Sequence, residues 1–228
     1  MCRASRLRAE SHKGEPALKQ TNILLTGVGG QGVITAGLLI GNAVTATGTN
    51  AVMSEIHGMS QRGGVVTAEL RIGDVYGPII PEGATDLLIG FEAAETIRAL
   101  KRAGERATVI MSSERIIPPT VTLGEARYPD VEGVVSKLRE RGAKLFVVDA
   151  PRLAREAGSA LSSNVVLVGA ACSAGFVPAE REALEKAIRD LFPERSWETN
   201  IRALQIGMEE FRRLAEVVTS QMAPRVGP

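Results

Sequence analysis

A short apolar run that stops at a cluster of glycines constrains this chain more than any other feature. Residues 22–26 read NILLT, residues 27–32 read GVGGQG, and residues 33–47 carry apolar side chains at helical spacing. A run that short, apolar throughout and closed by glycines, is a strand buried on both faces. The unit is strand, glycine turn, helix. Gly27 permits the tight turn, Gly29 lets a ligand approach the backbone, and Gly32 lets helix and strand pack closely; Gly30 and Gln31 complete the turn. Backbone N–H groups at the start of a helix favour an anion. Gly27, Gly29, Gly30, Gln31 and Gly32 are therefore candidates for an anion or nucleotide cradle. The competing reading is a glycine turn kept only for helix–sheet packing.

The rest of the chain alternates in the same way. Strands are expected at 50–56, 65–72, 86–91, 107–112 and 144–149, and helices at 93–102 and 131–141. Residues 75–80 are expected to pair with 65–72 across the Gly73-Asp74 turn, a hairpin signal. After residue 150 the strands stop, and helices are expected at 151–158, 164–174, 178–192 and 198–218. Strands alternating with helices predict an α/β fold, a doubly wound, Rossmann-like and mostly parallel sheet with helices on both faces. The helical C-terminal third should cover it. Ile201, Leu204, Met208, Phe211, Leu214 and Val218 form one stripe, read as core packing rather than a partner interface. Residues 21–220 form a single domain in this reading, between a flexible basic arm (1–20) and a short tail (221–228).

Composition removes several function classes. Apolar residues are 44% and charged residues 23% of the 228, which excludes a disordered body. With 27 basic against 26 acidic residues, the chain is no polycation for coating nucleic acid. Aromatics are 4%, too few for base-stacking platforms. The longest apolar stretch, 165–177, is too short to span a bilayer. The first 20 residues lack the apolar core of a secretory signal. Cys2 and Cys172 are far apart, so this chain alone builds neither a disulfide framework nor a thiolate-held iron–sulfur cluster. A reducing, cytoplasmic setting is the simplest reading, with no membrane and no nucleic acid.

A second constellation, SEIHGMSQRGG at 54–64, follows the second strand at the carboxyl edge of the sheet. It is expected to be a loop that gathers Glu55, His57, Gln61 and Arg62 among glycines. Histidine is a common proton carrier in active sites, and Arg62 can clamp a phosphate or carboxylate through its planar fork. Glu55–Arg62 or His57–Glu55 could equally be a structural pair. Glu55 also stands where a dinucleotide fold places its ribose-binding acid, which keeps a nicotinamide-dependent enzyme open as an alternative. The extra glycine, Gly30, keeps an adenylate-forming enzyme open too, although the Arg and Asp set such an enzyme needs is not placed. There is no nucleophile–base pair, no HxxxH or CxxC spacing and no GKS or GKT phosphate loop. A binding surface with so little machinery suits one subunit of a larger enzyme.

GVGGQGVITAG, SEIHGMSQRGGVVTAELRIG and IIPEGATDLLIGFE resemble the gamma-type subunits of 2-oxoacid:ferredoxin oxidoreductases. The HGMSQRGG form is similar to the beta subunit of the indolepyruvate branch, and the likeness runs from about residue 22 to residue 211. The resemblance implies oxidative decarboxylation of an aryl pyruvate to an acyl-coenzyme A, with electrons passed to ferredoxin. It implies that thiamine diphosphate, its magnesium and the iron–sulfur clusters belong to a larger alpha subunit, none being held by this chain alone. It further implies a shared coenzyme A site faced by the glycine turn with Gln61 and Arg62, with Glu55 and His57 as candidate groups nearer the thiamine.

Overall fold

The computed structural model describes residues 20–58 and 64–222, with side chains described through residue 218. Residues 1–19 of the expected arm, Gln61 and Arg62 lie outside the described residues. The first strand, β1 (Thr21–Val28), is buried along nearly its whole length, which is why its sequence is apolar without alternation. Helix α1 (Val33–Ala46) follows the glycine turn, then β2 (Ala51–His57), β3 (Val65–Ile72) and β4 (Thr85–Gly90). Helix α2 (Ala93–Ala99) starts on Glu92, whose side chain accepts the Glu95 N–H as an N-cap. There follow β5 (Ala103–Ser112), the single-turn α3 (Pro119–Thr122), α4 (Val131–Glu140) and β6 (Lys144–Val148). Helices α5 (Ala150–Ala157), α6 (Ser163–Ser173), α7 (Arg181–Leu191) and α8 (Trp197–Met222) make up the last third.

The six strands form one sheet in the order β2-β3-β1-β4-β5-β6. β1, β4, β5 and β6 are parallel neighbours. β3 runs antiparallel to both β1 and β2, so β2 points the same way as β1 from two positions away. The sheet is thus mixed and mostly parallel. Ile23, Leu25, Leu87, Ile89, Ile110 and Phe146 face a large core shared with α1, α5, α6, α7 and α8. Leu24, Leu88, Val109, Met111 and Leu145 face the other way, onto α2 and α4. Both faces are covered, as the apolar runs require.

Two expectations fail here for physical reasons. Residues 75–80 do not form a strand. β3 already has β2 on one edge and β1 on the other, so no ladder position remains for a hairpin partner. Side chains satisfy the backbone of this segment instead. Asn50 donates to the Val75 carbonyl at 2.8 Å and Arg71 to that of Gly77 at 2.8 Å. Glu69 accepts the Ile80 N–H at 2.6 Å, and Arg102 donates to the Ile80 carbonyl at 3.0 Å while also pairing with Glu69. Second, Glu55 and His57 lie on strand rather than loop, because β2 keeps its register with β3 as far as His57 opposite Val66.

The α8 stripe behaves as core. Leu204 and Phe211 are buried, Ile201, Met208, Leu214 and Val218 pack against the same cluster, and the Phe146 and Phe211 rings lie 4.7 Å apart. The backbone of α8 runs on to Met222, two residues past the expected domain end.

Candidate functional site

Order in the sheet reverses at β1. The chain leaves it by α1 toward β2, and β4 returns on its opposite edge. Such a switch point opens a crevice at the carboxyl ends of the strands, and the glycine turn sits there. Gly32 is the N-cap of α1 with φ 74°, in left-handed backbone that glycine adopts freely. It brings no capping side chain, and the first turn of α1 holds no acidic residue. The leading N–H groups of the helix are therefore left for solvent or a ligand. Gly30 (φ 102°) faces open space. Gly29 is less available than expected, because its N–H donates to the Gly64 carbonyl at 2.9 Å. That bond ties the glycine turn to the start of β3. Gly27 is needed for close packing, since an added Cβ would meet the Phe91 Cβ at 2.7 Å.

The expected role of Gln31 changes most. Its Oε1 accepts the Val28 N–H at 2.8 Å, and its Nε2 donates to the Phe91 carbonyl and to Glu114 Oε2, both at 2.9 Å. The amide spends its hydrogen bonds stitching together the carboxyl ends of β1, β4 and β5. Gln31 closes the floor of the crevice rather than reaching for a ligand.

Two hollows flank the turn. One, of about 380 Å³, is lined by Gly29, Gly30, the first residues of α1, Val66 and His57. The structure therefore brings His57 to the glycine turn, as expected from the sequence. The other, of about 450 Å³, is lined by Gly29, Gly30, Gln31, Phe91, Ser112, Glu114 and Ile116, with Ala160, Leu161, Ser163 and Leu167 from the C-terminal third. Two further hollows lie around the amino ends of β5 and β6, away from the switch point. Glu55 lines neither of the two hollows that flank the turn. Its carboxylate lies 3.2 Å from His57 Nε2 on an exposed stretch of β2, and β3 separates that strand from β1. Two strand spacings amount to roughly 10 Å, so Glu55 does not take the ribose-binding position of a dinucleotide fold.

The sequence reading missed the residues that hold the second hollow. Glu92 is buried to 1% exposure. Besides capping α2, its carboxylate accepts the Ile116 N–H at 3.1 Å and the Tyr128 hydroxyl. Burial and that carboxylate both push the Tyr128 phenol up, so it stays a donor. Burial likewise raises Glu95, with Arg98 opposing the shift. The Ala93 N–H donates to the Glu114 carbonyl at 3.0 Å, so the segment carrying Glu114 is fixed at two points to the start of α2. Asn164 of α6 packs against Gly32, where an added Cβ would meet its Nδ2 at 2.5 Å. These are isolated polar residues at element ends, and only the folded chain shows what they join. Among the described residues, no three His, Cys, Asp or Glu side chains come together as a metal site, and no helix is long and apolar enough to cross a membrane.

An open α/β sheet with a glycine turn and two hollows at its carboxyl edge defines a ligand-binding domain of the doubly wound class. Residues 22–210 match the family described as Pyruvate ferredoxin/flavodoxin oxidoreductase. The chain belongs to that family and is an oxidoreductase subunit. It is 40% identical over 189 residues to the Indolepyruvate oxidoreductase subunit IorB of Archaeoglobus fulgidus, covering 83% of this chain and 94% of that one. The subunit of the same name from Methanothermobacter thermautotrophicus is 42% identical over 186 residues, 82% of this chain and 95% of the other. Among solved structures, the keto/oxoacid ferredoxin oxidoreductase gamma subunit of Geobacter sulfurreducens shares the fold with a TM-score of 0.65 at 24% identity, over 86% of this chain and 99% of that one. The 2-oxoglutarate:ferredoxin oxidoreductase of Magnetococcus marinus, solved with 2-oxoglutarate, coenzyme A and succinyl-CoA bound, does so with a TM-score of 0.63 at 18% identity. There the match covers 88% of this chain but 32% of the other, longer one.

Proposed function

We propose that this chain is the small subunit of a cytoplasmic aryl pyruvate:ferredoxin oxidoreductase. The overall reaction takes a 2-oxoacid anion and coenzyme A to an acyl-coenzyme A, carbon dioxide, a proton and two electrons, which pass to ferredoxin. The carrying observation is the uncapped start of α1, opening on a hollow beside His57. It offers hydrogen-bond donors and positive potential to a phosphate. Among the described residues, no group of three metal-ligating side chains accompanies it.

In this reading the phosphates of coenzyme A face Gly29, Gly30 and Gly32 and the leading N–H groups of α1. Arg62 supplies the compensating charge and Gln61 flanks it. Gly27 and Gln31 hold the turn in shape. His57 and Glu55 form a polar wall toward the partner. Thiamine diphosphate with magnesium, held by a larger alpha subunit, supplies the electron sink for decarboxylation, and that subunit's iron–sulfur clusters carry the electrons. Identity of 36–42% to subunits named for indolepyruvate favours an aryl substrate over a small one. Ile117, Leu123 and Leu161 leave apolar surface open beyond the carboxyl ends of the strands, which suits a site completed by another chain.

The test is co-expression with the alpha subunit. The purified complex should reduce a low-potential dye only when an aryl pyruvate and coenzyme A are both present, and the isolated chain should not. Turnover by the isolated chain at a comparable rate would overturn the reading. Arg62→Ala should raise the KM for coenzyme A about tenfold, the effect of losing one charge-assisted contact. Gly29→Val should act in the same direction. If affinity, turnover and assembly stay at wild-type levels in both variants, the phosphate site is wrong.

A further inference from the structure

The glycine turn separates two hollows of opposite character. The one beside His57 faces the amino end of α1. The larger one contains a carboxylate. Glu114 spends Oε2 on Gln31, and among the described residues no cation pairs with it and no donor reaches its other oxygen. The other polar side chains of this hollow each have a partner within the protein. Gln31 has its bonds to Val28, Phe91 and Glu114, Ser112 Oγ accepts the Glu114 N–H at 3.1 Å, and Ser163 Oγ donates to the Ala160 carbonyl at 2.9 Å. The other walls are apolar: Phe91, Ile116, Leu161 and Leu167. An anion in this hollow would meet an uncompensated negative charge. An ionised carboxylate accepts hydrogen bonds and donates none, so a complementary ligand brings a donor. The hollow fits an apolar group that carries a single N–H.

We propose that Glu114 is a specificity-determining residue, its free oxygen accepting a hydrogen bond from an N–H group on an otherwise apolar ligand. The inference rests on the oxidoreductase reading above. Two components of that reaction bring such a group: the indole ring of an indolyl pyruvate and the amide or amino groups of coenzyme A. The first matches the apolar lining better, because an indole exposes one donor and hydrocarbon elsewhere. Glu114→Gln inverts the contact. Its amide oxygen takes over the bond from Gln31, and its NH2 then faces the ligand's N–H, donor against donor.

The experiment uses the complex with the alpha subunit. Indolepyruvate, its 1-methylindole analogue and phenylpyruvate are compared in wild type and Glu114→Gln, with the KM for coenzyme A measured on each. In wild type the methyl analogue should lose about tenfold in kcat/KM against indolepyruvate, the worth of one hydrogen bond to a charged acceptor. Glu114→Gln should lose about tenfold on indolepyruvate, change phenylpyruvate by less than about twofold, and no longer distinguish the methyl analogue. A rise in the KM for coenzyme A that is equal on all three substrates assigns the donor to coenzyme A instead. An unchanged profile, or a uniform fall in kcat with no change in selectivity, overturns the proposal. The methyl analogue needs no variant, so the question stands even if Glu114→Gln assembles poorly. A wild-type complex that turns over no aryl pyruvate would instead refute the oxidoreductase reading.

Discussion

Gln31 shows how a residue in a recognisable motif can serve the motif rather than the ligand. Its amide joins three strand ends, so its removal should cost folding free energy as well as activity. Gln31→Ala leaves the Val28 N–H and the Phe91 carbonyl without their partner, and urea denaturation should report a loss of about 2–3 kcal/mol. A ligand-binding glutamine with no such bonds would leave stability within about 0.5 kcal/mol. The glycine motif was legible because glycine positions follow from backbone geometry. The partners of Gln31 were not, because Phe91 and Glu114 lie 60 and 83 residues further along the chain. Glu92 was hidden for the same reason. In the sequence it is one acid among 26, and burial against Tyr128 and the Ile116 N–H is what sets it apart.

At the scale of elements, α6 and α8 cross at backbone contact. A Cβ added at Gly207 would overlap the Val166 carbonyl, and one at Gly169 would overlap that of Leu204. Neither carbonyl can move without shifting its helix. Gly207→Ala should therefore destabilise by more than about 3 kcal/mol in thermal or urea unfolding, against well under 1 kcal/mol for alanine at an open glycine with ordinary backbone such as Gly77. Periodicity predicted both helices and the stripe on α8, but not which residues touch at the crossing. The segment 73–84 teaches the converse. Val75 and Ile80 are buried but stand five residues apart, off the two-residue period of a strand, and both edges of β3 were occupied. Asn50, Arg71, Glu69 and Arg102 bind the segment's backbone in place of a strand.

At the scale of the whole molecule, the covered sheet places Cys172 of α6 against the large core, and burial pushes its thiol up to about 12. In the unfolded chain the thiol titrates near ~8.5. The folded state therefore holds this proton over a range where the unfolded state has lost it, and the contribution is complete below pH ~8.5 and lost as pH rises toward 12. The difference in unfolding free energy between wild type and Cys172→Val should thus change above pH ~8.5, by at most about 1.4 kcal/mol per pH unit, and stay flat from pH 6 to about 8. The sequence by itself determined the alternation of buried strands and helices, the glycine turn and the helical cover of the last third, since each follows from local periodicity and backbone freedom. It also placed His57 near the turn, because consecutive elements set both at one edge. Only the tertiary structure decided that β3 would lie between β1 and β2, which leaves Glu55 two strand positions from β1 and off the place of a ribose-binding acid. Only it decided that Glu92, Gln31 and Glu114 would be joined. Strand order and side-chain partnership are contacts between distant parts of the chain, and no local pattern records them.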